Sequence, residues 1–125
     1  MAKFVNKQQV LGSSVFNTAT IFSTAASRIG SSFTALETNK GHVIIGCNVA
    51  NTHSATVTVD IALVTDGGSS ADTIRYIAKN VSIPVGGSVE LITGKIVIGS
   101  DSEEIHGRCS VNTGAEVILS VLENA

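Results

Sequence analysis

"YIAKNVSIPVGGSVEL", residues 76–91, decides the fold. It opens as an alternating strand, passes through an extended segment around Pro84, turns at Gly86–Gly87 and starts a second strand. None of its side chains forms an arrangement that does chemistry. The same grammar, strand then turn then strand, runs through most of the chain.

Working outward, the period is two nearly everywhere after residue 40. In "HVIIGCNVAN" the alternation predicts Val43, Ile45, Cys47 and Val49 on one face. In "TVTVDIALV" it predicts Val57, Val59, Ile61 and Leu63 inside, with Thr56, Thr58 and Asp60 outside. In "EEIHGRCSVN" it predicts Ile105, Cys109 and Val111 inside, leaving His106, Arg108 and Ser110 in solvent. Val, Ile and Thr dominate these segments, and β-branched side chains pack well on a pleated surface. "NTHSA" (51–55), "DGGSSAD" (66–72), "PVGG" (84–87) and "NTG" (112–114) supply the Asn, Asp and Gly that tight turns use where φ becomes positive. Strands are expected near 15–24, 32–37, 42–50, 56–65, 73–79, 88–92, 95–98, 104–112 and 115–123. Eight or nine short strands without a sustained helical period predict an all-β fold, an antiparallel β-sandwich of jelly-roll type.

Composition narrows what such a fold would do. The 125 residues are one domain's worth of chain, and 43% of them are apolar. Only 14% are charged, against about 25% in an ordinary soluble domain. With little charge to cover the surface, Ser and Thr must cover part of it, and partner subunits the rest. A net charge of −2, with eight basic residues scattered along the chain, argues against a nucleic-acid partner, which needs clustered cations. Five aromatics make a poor base-stacking platform. No export signal or membrane-spanning apolar run is visible, so "NVS" at 80–82 reads as a chance sequon. Cys47 and Cys109 lack the close pairing of a zinc site and read as small buried hydrophobes.

Two regions break the pattern. "AEVILSVLE" (115–123) carries Val117, Leu119 and Val121 on one face, with Ile118 and Leu122 on the other. A strand apolar on both faces is covered on both sides, so its second face is expected to meet either another subunit or a loop or the N-terminal segment of the same chain. Residues 8–27 carry no formal charge, and all four phenylalanines fall within the first 33 positions. The expectation is an N-terminal arm over residues 1–12, dispensable for folding, attached to a sandwich domain over 13–125. Phe4, Phe16, Phe22, Ile118 and Leu122 are the expected partner-interface residues; the alternative for the phenylalanines is that they plug one end of the sandwich core.

The sequence assigns no catalytic residue, no cofactor and no metal ligand. "GGSVELITGK" fails as a phosphate loop, since Val89 stands where glycine is required and Ile96 follows Lys95. His42, His53 and His106 lie on separate segments and read as solvent-facing imidazoles. "SDSEE" (100–104) and "DGGSSAD" offer oxygens for Ca²⁺ but lack the ordered alternation of a calcium loop.

"VANTHSATVTVDIALV", "YIAKNVSIPVGGSVELITGKIVI" and "EVILSVLE" together resemble small structural proteins of tailed-bacteriophage virions, over about residues 42–123. The resemblance implies a non-enzymatic β-sandwich present on the particle, with no catalytic residues to carry over. It implies a capsid decoration (cement) protein, acting as a homo-oligomer such as a trimer against the major capsid protein. The alternative is a neck, baseplate or tail-fibre-attachment subunit bound to neck or tail proteins. "DGGSSAD" departs from the pattern by lengthening the hairpin before Tyr76. A carbohydrate-binding module is the third reading, weakened by the absence of Trp.

Overall fold

The structure, a computed structural model, describes residues 3–13, 27–29, 42–65, 71, 73–98 and 103–123. Within them lie β1 (Lys3–Leu11), β2 (Ser27–Ile29), β3 (His42–Asn51), β4 (Val57–Thr65), β5 (Thr73–Ile83), β6 (Ser88–Glu90), β7 (Ile96–Ile98), β8 (Glu103–Cys109) and β9 (Ala115–Glu123). Every pairing is antiparallel. One sheet runs β1-β9-β3-β6, with β7 also paired to β3; the other runs β2-β8-β4-β5. β6 and β7 bond to opposite ends of the same side of β3, so they are two halves of one edge. Counted as one position, they leave eight. The first then neighbours the last, the second the seventh, the third the sixth, and the fourth the fifth. That order is a hairpin wound on itself, a jelly roll. The all-β sandwich read from the alternation is the observed fold.

The core lies between the sheets. Ile44, Cys47 and Val49 of β3 and Val117, Leu119 and Val121 of β9 face Val57, Val59 and Ile61 of β4 and Ile105 and Cys109 of β8. All are buried, and the two cysteines are free thiols on opposite sheets. Burial pushes the Cys47 thiol up to about 12, with the Glu90 carboxylate adding to the shift.

Each departure from simple alternation has a local cause. β3 slips register between Ile44 and Gly46, so Ile44 faces the core while Ile45, expected inside, is 45% exposed. One inserted residue reverses every side chain upstream of it, a shift periodicity alone does not reveal. The turn at 51–55 is held through the Asn51 side chain rather than a positive φ. Its Nδ2 donates to the carbonyls of Ala55 and Ile83, both at 2.9 Å, and its Oδ1 accepts the His53 amide at 2.7 Å. At 84–87 the Gly87 amide bonds the Pro84 carbonyl at 2.9 Å, with Gly86 at φ 75° in the position that requires glycine. At 111–114 the equivalent position is Thr113, at φ 59°. A β-branched residue there is strained.

The expected arm falls mainly on β1. Lys3–Leu11 pairs with Ala115–Glu123 along its whole length, and Leu11 is fully buried in the core, with Val5 packed against it. Inward positions Val5, Lys7, Gln9 and Leu11 mix polar and apolar side chains, so the alternation is faint. Removing residues 1–12 therefore takes an edge strand from the sheet. The strands expected at 15–24 and 32–37 lie outside the described residues.

Candidate functional site

The two sheets present very different outer faces. On the four-stranded sheet, β4 places Asp60, Ala62 and Val64 outward, opposite Arg108, His106 and Glu104 of β8. Ala62, Val64, Glu104 and His106 are fully buried and Asp60 is 6% exposed. The sequence reading that left Asp60 and His106 in solvent is corrected: this face is covered. His106 Nε2 lies 3.1 Å from Glu104 Oε1. Arg108 Nη1 donates to Asp60 Oδ2 at 3.3 Å, and its Nη2 donates to the Ser13 carbonyl at 3.2 Å. Asp60 Oδ1 accepts the Asn80 amide at 2.6 Å. Asn80 sits at φ 54°, where β5 slips register past Asp60. The carboxylate thus fixes a bulge on the edge strand and a cation on the neighbouring strand at once.

Glu104 and His106, two residues apart on β8, form an acid–imidazole pair without solvent access, closed to any substrate. His42, also expected in solvent, is 3% exposed, and His53 is half-buried in the 51–55 turn. Among the described residues, no three His, Cys, Asp or Glu side chains converge as a metal site would require. Within "SDSEE", Glu103 and Glu104 are part of β8; residues 100–102, like most of "DGGSSAD", lie outside the described residues.

The five-stranded sheet is open. Its register sets Phe4, Leu122, Val43 and Val97 side by side across β1, β9, β3 and β7. Phe4 is 73% exposed and Val97 57%, with Leu122 and Val43 half-buried between them. Toward the other end of the strands follow Asn6 and Ser120, with the bulged Ile45 beside them. Gln8, Ile118, Asn48 and Glu90 come next, then Val10, Glu116, Ala50 and Ser88. Ile118 (44% exposed) and Val10 flank a shallow groove of about 440 Å³ that Gln8, Asn48 and Glu116 also line. At the outward register positions of these strands the charged residues are two carboxylates, Glu90 and Glu116, with no Lys or Arg.

Glu90 also has a structural task. Where β6 and β7 break, the Cys47 amide faces no strand, and the Glu90 carboxylate accepts its hydrogen bond while the Leu91 amide bonds the Cys47 carbonyl at 2.8 Å.

Of the expected interface residues, Phe4, Ile118 and Leu122 come together on this face; Phe16 and Phe22 lie outside the described residues. Val43 and Val97 belong to the same row and escaped the sequence reading. Val43 was assigned inward because the β3 bulge was unseen. The three-residue β7 is too short to show which face Val97 takes.

No protein-family model matches the chain, and no curated protein matches it. Among solved structures it is similar to a chain of the T13 IBDV viral particle, with a TM-score of 0.47 and 8% identity. The alignment covers 97% of this chain and 31% of that one, so this chain spans about a third of the other's length.

Proposed function

We propose that the protein is a non-enzymatic virion structural subunit of tailed-phage type, a capsid decoration protein that works as a homo-oligomer and stabilises an assembled shell through subunit contacts. The observation that carries this reading is the open face of the five-stranded sheet. A row of four apolar side chains crosses it, and its outward strand positions bear only two charged residues. The exposed face of a two-layer sandwich in water is normally polar and charged. An apolar face left open in an isolated chain gains its free energy when another protein surface covers it. The sequence resemblance over residues 42–123 supports the virion setting. The absence of a chemical constellation among the described residues agrees with a scaffold role without establishing it.

The test is quantitative mass spectrometry of purified particles together with cryo-electron microscopy. A decoration protein appears across the shell in a copy number tied to the capsid lattice. Density confined to the neck or tail overturns the decoration role, and absence from particles overturns the virion role.

A further inference from the structure

We propose that the open face of the five-stranded sheet pairs with the same face of a second copy, about a twofold axis parallel to the strands and passing between β9 and β3. The strand order β1-β9-β3-β6/β7 has four positions, so this axis lays β1 over the β6/β7 edge of the second copy and β9 over its β3. The apolar row then meets itself: Phe4 faces Val97 of the second copy, and Leu122 faces its Val43. Neither carboxylate meets a carboxylate. Glu90 faces the Gln8 carboxamide, a hydrogen-bond donor, at the sheet edge, and Glu116 faces Ala50 in the last row, at the rim.

A twofold axis across the strands instead sets Glu116 against Leu122, burying a carboxylate on an apolar side chain without a partner. A contact between identical patches must be self-complementary, and the first arrangement satisfies that condition.

Size agrees. Nine residues at about 3.3 Å and four strand positions at about 4.8 Å give a face of about 600 Å². Two copies bury about 1,200 Å², the lower bound of a specific stable contact. The opposite face of the molecule offers no such surface, because Ala62, Val64, Glu104 and His106 are already buried.

The inference starts from the same open face as the proposed function but needs no virion setting, and it is tested on purified full-length chain with no particles present. Sedimentation equilibrium at about 50 μM, a range where interfaces of this size associate, should show a dimer. Phe4→Lys and Val97→Glu each change an exposed side chain, and each should weaken association about tenfold or more. Mixed in equal amounts, the two variants should recover it, because the twofold axis sets the new ammonium against the new carboxylate in one of the two Phe4–Val97 contacts and leaves the other native. Circular dichroism of each variant, with Ile118→Asp as a third probe of the face, separates lost pairing from lost fold. A wild-type monomer or trimer overturns the proposal, as does a mixture that fails to recover. A monomer that binds shells, and loses that binding on Phe4→Lys, assigns the face to the shell instead.

Discussion

Replacing Asp60 with alanine should cost more stability than any substitution of a surface strand carboxylate would. Asp60 Oδ1 accepts the Asn80 amide at 2.6 Å, and Oδ2 accepts Arg108 Nη1 at 3.3 Å. The side chains of Arg108 and Asp60 are 18% and 8% exposed. Alanine removes both acceptors. It leaves a largely buried guanidinium with only the Ser13 carbonyl, and an amide at the left-handed Asn80 without its bond. Removing one partner of a buried ion pair costs about 3–5 kcal/mol. Residual exposure of Arg108 lowers that, while the lost amide bond adds about 1 kcal/mol, so about 3 kcal/mol is expected. Asp60→Asn keeps an acceptor for Asn80 and should lose about half as much. With a urea m value of about 1.5 kcal/mol/M, the alanine variant's midpoint should fall by about 2 M. The Asp60→Ala/Arg108→Ala double variant should be less destabilised than the sum of the singles, because the orphaned cation is gone. A loss below about 1 kcal/mol for Asp60→Ala, the range of exposed pairs, would refute burial of this face and restore the solvent-facing assignment.

Thr113→Gly should raise stability by about 0.5–1 kcal/mol, since relief of a strained φ of 59° exceeds the added chain entropy of glycine; a lower thermal midpoint would contradict the strain. Cys47 is held neutral in the folded state up to about pH 12, against 9.0 for the free thiol. Its contribution is therefore intact below about pH 9 and declines as pH rises toward 12, at up to about 1.4 kcal/mol per unit. Cys47→Ala should flatten that alkaline decline relative to wild type, and parallel profiles would count against it. Leu119→Ala, in the middle of β9 and fully buried, should cost about 2–5 kcal/mol by urea denaturation, whereas Phe4→Ser, at 73% exposure, should cost little in the monomer.

What the sequence disclosed and what it hid divide along one physical line. Alternation reports one buried face at a time, and for the face between the sheets it succeeded: Val57, Val59 and Ile61 on β4, and Val117, Leu119 and Val121 on β9, are core residues as read. It failed where both faces are covered. The run "DIALV" has apolar residues in consecutive positions, and Ala62 and Val64 were the available signal that β4 is buried on its second side. By register, Glu104, His106 and Arg108 had to share that burial, so they pair with polar partners beneath a covered face instead of facing water. Bulges are equally silent in sequence: the slip at Ile44/Gly46 moved Val43 to the open face and Ile44 to the core. β1 was missed because Lys7 and Gln9 occupy inward positions that a strand template expects to be apolar. At 112–114 the residue with positive φ is the threonine, not the asparagine or glycine beside it.

The polar and apolar surfaces are therefore reversed from the usual expectation. Asp60, Glu104 and Arg108 lie on the face that is covered, while the open face carries an apolar row and, as its charges, only Glu90 and Glu116. Buried ionic groups contribute little net stability compared with apolar packing, but their geometry is exacting, and they fix register. In this chain they pin β4 to β8 and anchor the bulge at Asn80, making one side of the sandwich rigid. The open side needs no such precision to stay folded, since its strands are already paired through the backbone and packed on the core. Apart from Glu90, which accepts the Cys47 amide, its outer side chains are thus largely free of folding constraints and available for contact. Substitutions on the two faces should separate accordingly: changes at Asp60 or Glu104 should alter stability, and changes at Phe4, Val97 or Ile118 should alter association while leaving the unfolding midpoint of the monomer nearly unchanged.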